Sequence, residues 1–178
     1  VHGARIMAFV LLRCNRDTCS GLQIRRPEKS MIEPTPQERA WLEQGFTRCP
    51  MPGPFVPNMM PVLCRQEGEH LVFRLEVRPE HCNGHGSAHG GFLATLADIW
   101  LAYNLIRQLP KTSSVVTASL TVDYLAPAQA GDVLESQIDR LRLGARLCHA
   151  SGAILRAGKP VAAMRGSFAV IEGRPAGD

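Results

Sequence analysis

At 178 residues the chain has room for one well-buried domain and too little for two of ordinary size. Its hydrophobic share of 45% and charged share of 20% are those of a globular protein, and no apolar run approaches the ~20 residues of a membrane helix, so no membrane partner is expected. The net charge of +4 is local: residues 1–30 carry six basic and two acidic side chains, and the rest carries 14 of each sign, which excludes a nucleic-acid surface made by the fold as a whole.

Residues 1–30 stand apart. The short apolar run Ile6 to Leu12 follows Arg5, and the segment is rich in Arg and poor in acids. It reads as a signal-peptide core, as a transit peptide, or as translation assigned to start before Met31. Each reading puts residues 1–30 outside the fold. The six cysteines (Cys14, Cys19, Cys49, Cys64, Cys82, Cys148) form no CxxC pair and no regular framework, which predicts reduced thiols in a cytoplasmic protein.

Residues 31–60 predict a helix and a loop. Thr35-Pro36-Gln37-Glu38 has the pattern of a helix start, with Thr35 as N-cap, Pro36 at the first helical position and Glu38 reaching back. A helix from Pro36 to Gln44 would stop at Gly45. Five prolines between Pro50 and Pro61 then exclude regular structure and predict an ordered loop or lid.

Residues 61–173 read as the main domain. Leu71, Phe73, Leu75 and Val77 alternate with Arg74, Glu76 and Arg78, the pattern of a strand buried on one face. The run from Phe92 to Ile106 is apolar on every side, which marks a buried helix. Four strand candidates follow: Ser114–Tyr124, Val133–Leu143, Arg146–Arg156 and Pro160–Ile171, separated by Pro127–Gly131, Gly144 and Gly158. In the first of them, strict alternation would put Val116, Ala118, Leu120, Val122 and Tyr124 on one face and Thr117, Ser119, Thr121 and Asp123 on the other. Short turns join antiparallel neighbours. The fold class is therefore α+β, an antiparallel sheet wrapped around one long central helix.

The candidate chemistry lies between residues 81 and 98. Gly90 and Gly91 at a helix start would leave backbone N–H groups unshielded at the positive end of the helix dipole, able to polarise a carbonyl; the same glycines could serve only close packing. Asp98 is the one charged residue between Gly90 and Arg107. Burial would raise its pKa toward that of a general base working near neutrality, or it could be a structural acid. His81, His85 and His89 recur every four residues beside Cys82, but the intervening glycines disfavour the helix that a metal-binding face would need, so no metal is expected. Cys82 as a nucleophile has only a neighbouring histidine in its favour. Gly84-x-Gly86 lacks the last glycine of a dinucleotide fingerprint, and Ser87 is flanked by His85 and His89 rather than by the glycines of a nucleophile elbow.

These residues resemble a known family. Asn83-x5-His89-Gly90-Gly91-x6-Asp98, followed by Val116-Thr117 and by Val122-Asp123-Tyr124-Leu125-Ala126-Pro127-Ala128, is similar to the hotdog-fold acyl-CoA thioesterases of the PaaI-like, phenylacetate branch, over roughly Pro61 to Ile171. The resemblance implies hydrolysis of an acyl-CoA to acid and CoA, with Asp98 activating water or attacking the thioester itself. It further implies that the Gly90 N–H polarises the carbonyl, that Asn83 holds the water or the leaving thiolate, and that Thr117 positions the water. His89 and Gly91 would order the turn behind them. Sites in this family form between subunits, so a homodimer or homotetramer is implied, with Asp98 and Gly90 from different chains and no cofactor beyond the CoA of the substrate. Arg140, Arg142 and Arg146, about the turn at Gly144, are candidates for the CoA phosphates, because guanidinium groups suit phosphate. A hydratase or dehydratase using His89 and an acid, and a non-catalytic acyl-CoA-binding module, are the competing functions.

Overall fold

Helix α1 forms over Pro36–Glu43, and Thr35 and Glu38 close the expected capping box. The computed structural model describes residues 32–49, 51 and 55–172; the basic segment 1–30 lies outside them. Glu38 is buried, and its carboxylate meets Arg78 at 2.7 Å, which ties α1 to the chain just ahead of the candidate site. Trp41 and Phe46 pack with Leu63 in a small satellite core.

The Pro-rich stretch is more regular than its composition suggests. Phe55–Met59 forms a short helix, α2, and Pro57 falls in its first turn, where a missing N–H costs nothing because that donor has no helical acceptor. Two strands appear ahead of the expected ones: β1, Thr47–Arg48, and β2, Leu63–Glu67. Strand β3, His70–Glu76, alternates in burial as predicted. A 3-10 turn over Pro79–His81 leads to the Gly-rich loop and then to α3, Gly90–Gln108.

The remaining strands are β4 (Ser113–Tyr124), β5 (Val133–Arg142), β6 (Leu147–Arg156) and β7 (Lys159–Glu172). All seven form one antiparallel sheet in the order β1-β2-β3-β5-β6-β7-β4. The β6–β7 hairpin turns through Ala157 and Gly158, both at positive φ, the geometry that two-residue hairpins favour.

Helix α3 lies along one face of this sheet. Leu96, Trp100, Leu101 and Leu105 are fully buried beneath it, and Trp100 stacks on Phe73 at 6.0 Å; each such side chain stabilises the fold by ~1.5–3 kcal/mol. Asn104 locks the helix to β3: its amide accepts from the Leu71 N–H at 2.8 Å and donates to the Leu71 carbonyl at 3.1 Å. The architecture is that expected from the sequence, an antiparallel sheet around a central helix.

Strands β4 and β5 each contain one bulge, and these bulges correct the simple alternation. In β4 the pairing skips Ala118, between Thr117 and Ser119. Val115 is therefore buried with the helix-facing set, in phase with Leu120 and Val122 beyond the bulge, where strict alternation would have grouped Val116 and Ala118 with them. In β5 the skipped residue is Asp139. An extra residue inverts the inward-outward phase of everything after it, so Leu134, Ser136 and Ile138 point toward the core before the bulge, whereas Leu141 does so after it.

Candidate active site

The loop before α3 is held from both ends. His81 is buried, and its ring stacks on Phe92 with centroids 4.1 Å apart. The Arg78 N–H donates to its Nδ1 at 3.0 Å, so the ring hydrogen sits on Nε2 and points at the Met59 carbonyl, 3.2 Å away. Burial lowers the pKa of this imidazole below its ordinary 6.5, against the opposing pull of the Met59 carbonyl and Glu80. The His81 carbonyl in turn accepts from the His89 N–H at 2.8 Å. A neutral, oriented histidine thus fixes the distance between the two ends of the loop.

Within the loop, Asn83 spends its side chain locally. Its Oδ1 accepts from the His85 N–H at 2.8 Å, and its Nδ2 donates to Ser87 Oγ at 3.2 Å. This is the self-bonding that makes Asn a turn residue. The three histidines do separate jobs: His81 is buried, His85 is exposed at the loop tip, and His89 caps a helix. Among the described residues no three His, Cys, Asp or Glu side chains come together as a metal site. The Cys82 thiol donates to the Arg78 carbonyl at 3.5 Å. Cys49, Cys82 and Cys148 are free thiols among the described residues.

The expectation of two open N–H groups at the helix start needs correction. His89 Nδ1 accepts from the Gly91 N–H at 3.0 Å, so the N-cap takes that donor. Gly90 stands at the first helical position, where the helix supplies its N–H no acceptor. Its carbonyl accepts from Tyr124 Oη at 2.9 Å. A Cβ at Gly90 would lie 3.3 Å from Tyr124 Cζ, and one at Gly91 would lie 3.1 Å from His89 Nδ1, so both positions favour glycine through close approach. Tyr124 is a residue whose part in the site the alternation of β4 did not reveal; the only signal was its place in the Tyr-Leu-Ala-Pro-Ala segment.

Asp98 lies two turns into α3, and Thr117 Oγ1 donates to its Oδ1 at 2.6 Å. The bulge at Ala118 makes this bond possible, because it leaves Thr117 in phase with buried Val115, toward the helix. Asp98 is only half-buried in the single chain. The deep burial expected of it is thus not supplied by its own fold.

The arginines separate. Arg140 and Arg142 line a cavity of ≈ 540 Å³ together with Arg165, His149 and hydroxyl side chains, whereas Arg146, in the β5–β6 turn, does not line it. The bulge at Asp139 directs Arg140 and Arg142 away from the core. Their cavity therefore opens on the sheet face opposite the one that carries Thr117 and Asp98. His149 and Arg165 were not singled out by sequence, because their common face follows from register and not from spacing along the chain.

The profile of the thioesterase superfamily matches residues 85–163. The Pseudomonas aeruginosa protein PA0474, an esterase by name, is 34% identical over 126 residues, which are 70% of this chain and 94% of that protein. The Escherichia coli acyl-coenzyme A thioesterase PaaI is 37% identical over 73 residues, 41% of this chain and 49% of PaaI. Among solved structures, a single-site mutant of the phenylacetic acid degradation protein PaaI from Thermus thermophilus superposes with a TM-score of 0.57 at 31% identity, over 66% of this chain and 98% of that one. The matched segment carries the His89 cap, the Gly90 turn, Asp98 and Thr117, and the chain belongs to the thioesterase superfamily, in its PaaI-like hotdog branch of thioester hydrolases.

Proposed function

We propose that the protein hydrolyses acyl-coenzyme A thioesters, with Asp98 as the catalytic carboxylate and the Gly90 N–H as the donor to the thioester oxygen. The hydrogen bond from Thr117 to Asp98 carries this reading. It leaves Oδ2 to take a proton from water or to attack the carbonyl carbon, and it fixes the rotamer in which that oxygen is presented. Hydrolysis adds the water hydroxyl to the acyl carbon, breaks the C–S bond, and delivers the water proton through Asp98 to the departing thiolate. A positioned base contributes ~10²–10⁴-fold in rate, and one oxyanion donor ~10²–10³-fold.

The spacing of the two groups supports a site shared between chains. Eight residues of α-helix separate Gly90 from Asp98, or ~12 Å along the axis. A donor, a carbonyl, an attacking water and a base in hydrogen-bonded sequence span ~9 Å at most. One helix therefore holds the two groups near the limit of that span, which favours a second copy supplying one of them. Strand β4 offers the means: it is a long edge strand of 12 residues, and an edge of that length is a template for pairing with its own copy about a two-fold axis. Such pairing would also cover half-exposed Asp98 and exposed Tyr124. In this assembly the second Nδ2 hydrogen of Asn83, the one not given to Ser87, would meet the water or the leaving thiolate from the loop, and His89 with Gly91 would hold the turn.

The likeness to PaaI, named for acyl-coenzyme A, supports the choice of thioester. The test is thiol release from a panel of aromatic and medium-chain acyl-CoAs by wild type and by Asp98→Asn. Release by wild type that collapses in the variant is the expected result. Binding without release by wild type would overturn hydrolysis in favour of a binding module, and formation of a hydrated or dehydrated thioester would favour the lyase chemistry instead.

A further inference from the structure

Thr117 and Tyr124 both stand on β4, with an odd separation in the chain. Such a separation puts two side chains on opposite faces of a regular strand. The bulge at Ala118 lies between them and inverts the phase once, so both side chains reach α3. Thr117 donates to Asp98, and Tyr124 donates to the Gly90 carbonyl. One strand thus bonds to both groups to which the acyl-CoA reading assigns chemistry.

The second of these bonds falls where the backbone is softest. Adjacent glycines carry more conformational freedom than any other pair, yet an oxyanion donor is effective only when it is held in place before the charge develops. Hydrogen bonds supply the restraint. The His89 carbonyl, in the same peptide group as the Gly90 N–H, accepts from the Leu93 N–H at 3.1 Å. The next peptide, Gly90–Gly91, is held at both ends: its N–H donates to His89 Nδ1 at 3.0 Å, and its carbonyl accepts from Tyr124 Oη at 2.9 Å. The bonds from Leu93 and to His89 are local to the helix start, whereas the bond from Tyr124 ties that start to the sheet. The missing side chain at Gly90 admits the phenol, since a Cβ there would lie 3.4 Å from Oη. Stability does not account for this hydroxyl. Tyr124 is 55% exposed, and trimming a polar atom from so exposed a side chain hardly changes the fold's stability.

We propose that Tyr124 is a positioning residue: its hydroxyl, together with His89 Nδ1, fixes the Gly90–Gly91 peptide and so aims the Gly90 N–H at the thioester oxygen. What that N–H does rests on the acyl-CoA reading above; the clamp on the peptide does not.

Tyr124→Phe keeps the ring and removes only the hydroxyl. On an acyl-CoA that wild type hydrolyses, kcat should fall about three- to tenfold, the worth of one hydrogen bond, with KM and Tm unchanged. A tyrosine with only a structural part would lower Tm or leave kcat alone. A wild-type kcat in the variant, or a loss confined to KM, would overturn the proposal. Amide hydrogen exchange, read by NMR on protein labelled with ¹⁵N-glycine, tests the clamp without turnover. The Gly91 amide should exchange about threefold faster or more in Tyr124→Phe, while that of Gly152, in the middle of β6, should not change. Equal exchange at Gly91 in the two proteins overturns the proposal whatever the substrate. Faster exchange at Gly91 in the variant, alongside a wild type that releases thiol from no acyl-CoA, would confirm the clamp and overturn the thioesterase reading instead.

Discussion

Thr117 Oγ1 and Asp98 Oδ1 are 2.6 Å apart, and this bond joins the edge strand β4 to the middle of the buried helix α3. By occupying Oδ1 it determines which carboxylate oxygen is left to face the solvent. Thr117→Val should lower kcat about tenfold, the value of a hydrogen bond to a partly solvated charge, whereas Thr117→Ser should keep most of the rate. Steady-state kinetics on one acyl-CoA, with circular dichroism to confirm the fold, checks both. Equal rates in wild type and Thr117→Val would remove Thr117 from the site.

The proposed sharing of the site between subunits predicts complementation. Asp98→Asn should be inactive through loss of the base. Gly90→Val should be inactive because its side chain collides with Tyr124, whose ring already lies 3.3 Å from a hypothetical Cβ. In a mixed dimer one site collects both substitutions and the other collects neither, so co-expressed, doubly tagged heterodimers should recover about half of the wild-type rate per dimer. Purified heterodimers without activity would place Asp98 and Gly90 in the same site after all.

His81 gives the fold an acid limit. Burial depresses its folded pKa below 6.5, so below about pH 6.5 the unfolded chain binds a proton that the folded one does not, and stability falls as the pH drops toward the folded value. Protonation of Nδ1 would also break the bond from the Arg78 N–H. Thermal unfolding of wild type between about pH 7.5 and 5.5 should show a falling Tm, and His81→Gln, though less stable, should show a smaller fall. Asp132 acts in a lower window: burial pushes its pKa up, but the Gln129 N–H and Arg156 override this and hold it below 3.8. Its stabilisation is lost only as the pH drops through that depressed value.

Asn104→Leu should cost about 2–4 kcal/mol, because it leaves the buried Leu71 N–H and carbonyl without their partner. Urea denaturation followed by tryptophan fluorescence would report it, since Trp100 sits one turn away and shares its carbonyl with Asn104. A cost under about 1 kcal/mol, the net worth of a single ordinary hydrogen bond, would mean that β3 pairs its backbone elsewhere once released.

The parts of the fold legible in sequence were those whose signal is local. The capping box at Thr35 and Glu38, the apolar circumference of α3 and the alternation of β3 each follow from a few consecutive residues. Strand β2 was illegible because its burial runs from Leu63 and Cys64 to exposed Gln66 and Glu67 instead of alternating. Helix α2 was hidden by Pro57, whose first-turn position spares it. The Asp98–Thr117 bond and the outer cavity share a deeper obstacle: both depend on bulges at Ala118 and Asp139, and a bulge is a mismatch of count between two strands distant in sequence. No pattern within either strand announces it.

At Ala118, then, the number of residues matters more than their identity. Replacing Ala118 with Ser leaves the spacing on either side untouched. Deleting it would rotate one half of β4 relative to the other, exposing Val115 to water and carrying Thr117 out of reach of Asp98, with no change to any side chain that faces the helix. A stretch of this kind tolerates lettering errors and fails on a skipped letter: deleting Ala118 should break the Thr117–Asp98 bond, whereas deleting Ser113, at the start of the strand, should leave it intact.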